Sequence, residues 1–279
     1  MKLIGLGAAY PSRVVTNDDL SQQMDTSDAW IYPRTGIHAR RFCSAEESAV
    51  TLAIEAAGKA LAEAESQGVP TSAIGAIVVA SMSADLATPS IAAILQRELR
   101  LPEVPVLDIN AACSGFIYGL EVARSLAAVS GRRYALVVGT EQLSRLLSME
   151  DRSTAILFGD GAGAAVIECT ETAENREEAA PYVRLFGSRG SDVILAPGVY
   201  TGAYEARKAA QASTGDAADT AAAHSGAGDE RAATNAETVC IDHMLMDGKE
   251  VFMFACDIIP RIIGGLLEQS GETMEDIDH

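Results

Sequence analysis

Residues Ile74–Ser81 read IGAIVVAS, a run whose single polar side chain is the last one. Two similar runs follow, Val104–Ile109 (VPVLDI) and Tyr134–Gly139 (YALVVG), and a more mixed run, Lys2–Leu6, opens the chain. Short runs that are apolar almost throughout are typical of strands in a parallel sheet covered on both faces. The sequence therefore predicts a buried parallel sheet.

Amphipathic stretches separate these predicted strands. The spacing of their apolar residues predicts helices over Glu46–Glu65, Ser90–Leu101 and Cys113–Ala128. Pro89 precedes the second helix, where its fixed φ suits a helix start. Strands that alternate with helices indicate the α/β class, in which helices cover both faces of the sheet.

The second half of the chain is less regular. The run AAVIEC after Gly163 predicts another strand, and Glu250–Glu268 has the pattern of a long helix. Between them, an alanine-rich insertion at about 201–237 holds almost no large apolar side chains. Because a helix without an apolar stripe has nothing to dock, we expect this insertion to be exposed and mobile.

A short internal similarity relates the two halves. The residues that follow the last predicted helix align with those that follow the first, so that Ile277 falls on Ile74. This alignment predicts two related units, 1–170 and 171–279, of which the second stops just before its own central strand. We therefore expect the printed sequence to be incomplete at its carboxyl end.

Composition and charge restrict the possible partners. The 279 residues are 48% hydrophobic and 22% charged, which is ordinary for a globular protein, and the net charge is −18. Such a charge argues against a general nucleic-acid binder, which needs a basic face. The first 140 residues hold 11 basic and 14 acidic side chains against 10 and 25 in the rest. An anionic ligand would therefore need a local group of arginines, more plausibly in the first half.

The sequence also bears on membranes, metals and redox chemistry. No apolar run approaches the ~20 residues of a membrane span, and Pro11 and Arg13 interrupt the apolar start too early for a signal peptide. We expect a cytoplasmic protein that does not contact a membrane. Its five cysteines lack paired spacing and its four histidines are scattered, so a disulfide framework or a metal site is not expected.

Cys113 is the residue that best fits a chemical role. It lies in INAACSGF, between a predicted strand and the start of a predicted helix. A helix amino terminus favours the thiolate, and backbone N–H groups there can hold an oxyanion. The small neighbouring residues leave room for a substrate, which favours a nucleophile for acyl transfer. On spacing alone, a buried cysteine that packs the helix start remains an equal alternative.

Four motifs in order resemble the β-ketoacyl-acyl carrier protein synthase III family: DTSDAWIYPRTGIHARR (Asp25–Arg41), INAACSGF, FGDGAGA (Phe158–Ala164) and MDGKEVF (Met246–Phe252). The resemblance implies a thiolase-like fold, with duplicated βαβαβ halves in α/β/α/β/α layers and a truncated second half. It also implies a homodimer that uses acyl-CoA as a substrate and needs no cofactor.

The activity that this resemblance implies is a decarboxylative Claisen condensation. An acyl-CoA primer acylates a cysteine, which matches Cys113, and malonyl-acyl carrier protein then loses CO2 and attacks it to give a 3-oxoacyl-acyl carrier protein. Secondary-metabolite starter synthases share this scaffold and remain open. Degradative thiolases fit less well, because they use a second cysteine in a carboxyl-terminal motif.

The resemblance also assigns coenzyme A contacts. Trp30 would stack on the adenine, Thr26 would hydrogen-bond nearby, and Arg34 would pair with phosphate in a fork geometry. Arg152 matches a second arginine on the adenine side. Without the resemblance, Trp30 would be interpreted as a core aromatic, and Arg34, Arg40 and Arg41 as an exposed basic turn.

Two further segments match substrate contacts of the family. Gly248 and Lys249 fall where the pantetheine arm is contacted, although Lys249 replaces the usual amide. The segment SADLATPS (Ser83–Ser90) resembles the one that reaches across the dimer to cap the acyl pocket. Thr88 stands where acetyl-selective members carry phenylalanine, which predicts longer or more branched primers.

The glycine-rich run FGDGAGA could be interpreted as a phosphate-binding loop or as a close approach of the backbone to the catalytic pocket. The first interpretation is weak, because the run lacks the Lys-Ser/Thr of a P-loop and the spacing of a dinucleotide fold. Its glycines fit a backbone that passes close beneath the catalytic pocket, and Phe158 is then predicted to be a wall of that pocket.

The sequence departs from the family in the groups that stabilise the enolate. The family supplies a histidine from HQAN and an asparagine from a later Asn-Gly loop, and neither motif occurs in these 279 residues. His279 lies a few positions ahead of the expected histidine. We therefore expect acylation of Cys113 without condensation. The alternative is a truncated, non-condensing homologue that binds coenzyme A or carrier protein, or pairs with a full-length synthase.

Overall fold

The computed structural model describes residues 1–169, 194–195 and 244–277. The predicted insertion at about 201–237 lies outside these residues. The strands are β1 (Lys2–Ala9), β2 (Arg13–Thr16), β3 (Ala39–Phe42), β4 (Ile74–Ala80), β5 (Val106–Ile109), β6 (Tyr134–Gln142), β7 (Asp160–Glu168), β8 (Ile194–Leu195) and β9 (Leu245–Met246). The helices are α1 (Asn17–Ser21), α2 (Asp28–Thr35), α3 (Ala49–Ser66), α4 (Ile91–Glu98), α5 (Gly115–Val129), α6 (Arg152–Ala155) and α7 (Gly248–Ser270).

One five-stranded sheet, in the order β1-β7-β6-β4-β5, organises the first 169 residues. Strand β4 runs parallel to both β5 and β6, whereas β7 is antiparallel to β1 and β6. The carboxyl ends of β1, β4, β5 and β6 therefore lie beside the amino end of β7, at one end of the strands. The predicted parallel strands are confirmed, and β7 is longer than expected because its first residue, Asp160, still pairs with Gln142 of β6.

Helices cover both faces of this sheet. Helices α3 and α4 pack on one face in a cluster that includes Leu52, Ile77 and Leu95, and α5 packs on the other against Val78 and Val137. All seven residues of β4 are buried. A continuous apolar run is thus explained by burial from both sides, as the α/β prediction requires.

Two of the predicted helix boundaries are set by side-chain caps. Ser48 and Thr51 form a capping box at the start of α3. Ser90 caps α4, and both oxygens of Asp108 accept hydrogen bonds there, from the N–H groups of Ile91 (2.7 Å) and Ala92 (2.9 Å). The strand β5 therefore fixes where α4 begins.

The close approach of β1 and α3 depends on glycine. A Cβ at Gly5 would lie 2.2 Å from the carbonyl oxygen of Ala60 and 2.8 Å from the nitrogen of Ala64. Both atoms belong to backbone, so a side chain at this position requires the helix to move away from the strand.

The substitution Gly5→Ala is therefore expected to lower the free energy of unfolding by about 2 kcal/mol or more, by overpacking. Chemical denaturation followed by circular dichroism measures this change. Gly264→Ala in α7 is the matched control, because a Cβ there meets nothing within 4 Å. It should leave stability unchanged or raise it by up to about 1 kcal/mol. Equal effects of the two substitutions would contradict the packing argument.

Helix α7 confirms the predicted long helix near the end of the chain. Asp247 caps it by accepting hydrogen bonds from the N–H groups of Lys249 (3.1 Å) and Glu250 (3.0 Å). The N–H of Met244 donates to the carbonyl of Leu146 at 2.6 Å, which joins the entry to α7 to the loop that precedes α6. None of the described helices has the length and apolar character needed to cross a bilayer.

Candidate functional site

A cleft of about 380 Å³ opens at the end of the sheet where these strand ends lie together. We call it the strand-end cleft. Crevices beyond the carboxyl ends of strands are where α/β sheets commonly bind ligands. The residues that line it are Tyr10, Ala80, Ala112, Cys113, Phe116, Gly139, Thr140, Glu141, Gly161, Ala162 and Gly163.

Cys113 is an exposed residue of this cleft. It lies in a short 3-10 turn, Ala112–Ser114, and α5 begins only at Gly115. The helix predicted to begin at Cys113 thus begins two residues later. Ala112 explains the difference, because its φ of +45° does not belong to a right-handed helix.

The strained turn presents the thiol outward. A positive φ at a residue other than glycine costs of order 1–3 kcal/mol and is held only by its surroundings. Those surroundings are close: a Cβ at Gly115 would lie 3.0 Å from the Cβ of Ala80, so the start of α5 presses on the end of β4. Cys113 is therefore not the buried packing residue of the alternative interpretation.

The other described cysteines differ from Cys113 in their surroundings. Burial, together with the nearby Asp160 carboxylate, raises the pKa of the half-buried Cys43 thiol to about 12. Burial raises the pKa of Cys169 to about 11. Both thiols stay protonated at neutral pH and unsuited to nucleophilic attack. Cys256 is exposed on α7, away from the cleft, and Cys240 lies outside the described residues.

The glycine-rich run supplies backbone and one small side chain, that of Ala162, to the cleft. Gly161 and Gly163 line it at the amino end of β7. Asp160 just before them is buried and accepts hydrogen bonds from the N–H of Cys43 (2.7 Å) and from the N–H and Oγ of Ser144 (2.8 and 2.6 Å). It thereby ties the chain after β3 to the turn after β6. Phe158 is half-buried and is not among the cleft residues; its role as a pocket wall stays a prediction.

Among the cleft residues that sequence reasoning missed are three with polar groups, Tyr10, Thr140 and Glu141. The half-buried Glu141 carboxylate accepts hydrogen bonds from the N–H of Met82 (2.9 Å) and from the hydroxyl of Ser83. Burial raises the pKa of Glu141 above its usual range, against the opposing effect of these hydrogen bonds. A carboxylate at the end of the apolar run YALVVG is a signal that could have identified it.

A second group of predicted residues comes together on α2 and α6, and we call it the Trp30 cluster. The guanidinium carbons of Arg34 and Arg152 lie 4.5 and 4.2 Å from the centre of a Trp30 ring. Arg34 donates to the carbonyl of Trp30 at 2.9 Å, and Arg152 donates to the carbonyl of Asp25 at 2.8 Å. Two cations within cation–π distance of one indole concentrate positive charge at this side chain.

Thr26, which follows Asp25 in the chain, has a side chain that lacks a partner. Its Oγ1 is buried and makes no hydrogen bond within the described structure. A buried polar atom without a partner is unfavourable by about 1–3 kcal/mol, so a hydrogen bond gained by a turn of this side chain would be favourable. The predicted contact of Thr26 with coenzyme A stays a prediction.

The alternative of an exposed basic turn is wrong for Arg40, which is only 7% exposed. Arg40 donates to Oδ1 of Asn17 (2.8 Å) and to the carbonyl of Ile156 (3.0 Å). It therefore holds β3 against the segment that follows α6. Trp30 is half-buried and packs against a small core cluster that includes Ile31 and Leu20, so its core role and its exposed face coexist.

The remaining predicted site residues lie at the surface. Gly248 and Lys249 form the exposed first turn of α7. Thr88 is exposed in the segment Ser83–Ser90, between β4 and α4. The strand-end cleft and the Trp30 cluster share no residue, so the structure assembles two separate parts of the predicted site.

Comparison with known proteins identifies relatives of this chain. The family model for 3-oxoacyl-[acyl-carrier-protein (ACP)] synthase III matches residues 107–181. Beta-ketoacyl-[acyl-carrier-protein] synthase III of Acholeplasma laidlawii is 37% identical over 282 residues, which cover 100% of this chain and 74% of the relative.

Two solved structures have the same fold. The 3-oxoacyl-(acyl carrier protein) synthase III of Pseudomonas aeruginosa PAO1 superposes with a TM-score of 0.75 at 30% identity, covering 99% of this chain and 73% of the other. The enzyme of the same name from Aquifex aeolicus VF5 gives a TM-score of 0.69 at 31% identity, with coverage of 99% and 74%. The expected thiolase-like α/β fold is confirmed.

Proposed function

Because the chain belongs to the β-ketoacyl-acyl carrier protein synthase III family of condensing acyltransferases, we propose that Cys113 accepts an acyl group from acyl-CoA. The observation that carries this proposal is the exposed thiol in a cleft at the strand ends. The Cys113 thiolate attacks the thioester carbonyl, a new C–S bond forms, and coenzyme A leaves as its thiolate and takes up a proton. Backbone N–H groups at the start of α5 are the donors available for the oxyanion.

The Trp30 cluster is the proposed site for the nucleotide end of coenzyme A. The adenine stacks on the Trp30 ring when a guanidinium group moves off it, the arginines then pair with phosphate or cover the base, and the Thr26 side chain turns to donate its hydroxyl. The net charge of −18 repels an anionic ligand at long range. Two arginines held on one ring counter this repulsion locally, where screening by salt is weakest.

The first turn of α7 is the proposed contact for the pantetheine arm. The entry to α7 is joined to the loop before α6 through the Met244–Leu146 hydrogen bond, and α6 begins with Arg152. This connection supports a path from the Trp30 cluster along Gly248 and Lys249.

The second half of the reaction needs further groups. Malonyl-acyl carrier protein loses CO2, and the resulting enolate attacks the acyl thioester, forms a C–C bond and expels the Cys113 thiolate. Donors must stabilise the enolate, and HQAN does not occur in the printed sequence. A polypeptide of these 279 residues is therefore expected to perform the acyl transfer and not the condensation.

Radiolabelled acyl-CoA tests this proposal. We expect label to become covalently attached to the protein at a ratio approaching one acyl group per chain, and to stay attached when malonyl-acyl carrier protein is added. Release of a labelled 3-oxoacyl product would contradict the proposed restriction to acyl transfer. Reversible binding of coenzyme A without covalent label would favour the non-condensing homologue.

A homodimer remains the proposed assembly. Strand β5 lies at the edge of the sheet and pairs only with β4 within the described chain. Edge strands offer free backbone groups to a second chain, and the four residues of β5 are half-buried rather than exposed. In this dimer, the Ser83–Ser90 segment of one protomer is proposed to cap the acyl pocket of the other.

Thr88 is the proposed determinant of primer size. The substitution Thr88→Phe adds an aromatic ring to the capping segment and should lower the rate of acylation by decanoyl-CoA about tenfold relative to acetyl-CoA, because the ring fills space needed by the longer chain. A series of acyl-CoA primers measures this ratio. Ala62→Phe, at an exposed site of α3, should leave the ratio unchanged; a ratio unaffected by Thr88→Phe would exclude this role.

A further inference from the structure

Glu141 has no role in the reaction proposed above, yet it lines the strand-end cleft together with Cys113. It is the last residue but one of β6, at the end of the strand that faces the cleft. The hydrogen bonds of its carboxylate are made with Met82 and with the segment Ser83–Ser90.

The carboxylate holds the first residues of that segment. Oε1 of Glu141 accepts the N–H of Met82 at 2.9 Å, and Oε2 accepts the hydroxyl of Ser83. The oxygen of that hydroxyl in turn accepts the N–H of Gln142 at 2.8 Å. Ser83, which is 3% exposed, is therefore bound from two sides by the end of β6.

Arg145, in the turn after β6, extends this hydrogen-bond network to Ala84 and Asp85. Its guanidinium donates to the carbonyls of Ser83 and Ala84, the latter at 2.6 Å, and pairs with Asp85 at 3.0 Å. The other oxygen of Asp85 accepts the N–H of Val50 at 3.1 Å, in the first turn of α3. Residues 82–85 are thus fixed to β6, to the turn after it and to α3.

The far end of the segment is fixed as well, through the hydrogen bonds that Asp108 accepts at the start of α4. Between these two attachments, residues 86–89 are all exposed, and Leu86 is 52% exposed. A short exposed stretch held at both ends has its position set by its attachments.

We propose that Glu141 is a positioning residue for primer selection: by holding Met82 and Ser83, it sets where residues 86–89 stand relative to the strand-end cleft, and so which acyl chains reach Cys113. This inference rests on the proposed acyl transfer and on the proposed capping of the acyl pocket by Ser83–Ser90 across the dimer. Glu141 keeps its place at a cost, since burial disfavours its charge, and the hydrogen bonds from the segment compensate for that cost.

The test compares Glu141→Gln with a matched control in the same sheet. Glutamine keeps the size of the side chain but puts an amide donor in place of one acceptor and removes the charge. Glu168→Gln changes a buried carboxylate at the other end of the same sheet, where Glu168 pairs with Arg133. The rates of acylation by a series of primers from acetyl-CoA to decanoyl-CoA are measured for both variants.

For Glu141→Gln we expect the ratio of decanoyl to acetyl rates to change about tenfold, as loss of a charge-assisted hydrogen bond predicts. Glu168→Gln should keep the wild-type ratio. Ser83→Ala should shift the ratio in the same direction, and combining it with Glu141→Gln should add little, since both remove one interaction. Rates lowered equally for every primer would overturn the positioning role.

Hydrogen exchange measured by mass spectrometry gives a second readout that does not depend on acyl transfer. Peptides that cover residues 82–90 should exchange faster in Glu141→Gln and not in Glu168→Gln. Unchanged exchange would overturn the inference. Failure of the wild-type protein to take any label would instead overturn the proposed acyl transfer, so the two failures are distinguishable.

Discussion

The substitution Cys113→Ala is expected to lower covalent acyl transfer from acyl-CoA by roughly 10³-fold or more, the scale seen when a nucleophile is removed. The reason is chemical: alanine offers no atom that can form the acyl bond, and Cys113 is the described thiol that lines the strand-end cleft. Mass spectrometry of the intact protein after incubation with acetyl-CoA measures the transfer, and peptide mapping locates it.

Cys256→Ser is the matched control for this prediction. Cys256 is also an exposed free thiol, but it lies on α7 and does not line the cleft. Its replacement should leave the extent of acylation within about twofold of wild type. Label that follows Cys256, or that persists in Cys113→Ala, would contradict the assignment of the nucleophile.

In the Cys113→Ala variant, the binding of coenzyme A should persist although acyl transfer is lost. The strand-end cleft and the Trp30 cluster share no residue. Cys113→Ala should therefore bind coenzyme A with nearly wild-type affinity while it accepts no acyl group, and this behaviour would also show that the variant is folded.

The sheet and its helices could be predicted because their signals are local. The run Ile74–Ser81 is apolar since both faces of β4 are covered, and the helix patterns of α3 and α5 reflect the face that each one buries. A window of ten to twenty residues contains this information. The exact start of α5 is different, because it depends on the φ of Ala112, which the end of β4 helps to impose.

Contacts between distant parts of the chain could not be predicted in this way. Ser83 and Glu141 are 58 residues apart in sequence, and Arg40 reaches a carbonyl 116 residues away. Arg40 and Arg41 are neighbours in β3, where Arg40 shares the buried face with Phe42 and Arg41 lies on the exposed face, but this alternation does not reveal the carbonyl that Arg40 reaches. Both arrangements depend on the tertiary fold, so only the assembled sheet reveals them.

The Trp30 cluster leads to the second large effect that we expect. Arg152→Met should weaken the binding of coenzyme A about tenfold, or about 1.4 kcal/mol, because it removes one of the two cations over the Trp30 ring. Methionine keeps much of the apolar stem, so the loss reports on the guanidinium. Isothermal titration calorimetry with coenzyme A measures the change, and Trp30→Ala should give a loss at least as large.

A loss of affinity in Arg152→Met could come from the change in net charge or from loss of a direct contact with the ligand, and these two causes must be separated. With a net charge of −18, loss of any cation makes the protein more repulsive to an anionic ligand. Arg97→Met produces the same change in charge at an exposed pair with Glu98 on α4, and long-range repulsion alone would weaken binding equally in both variants. We expect Arg97→Met to bind within about twofold of wild type at 0.15 M salt, where charges more than about 8 Å apart are largely screened. Equal losses in the two variants would mean that Arg152 acts through the general field and does not contact the ligand.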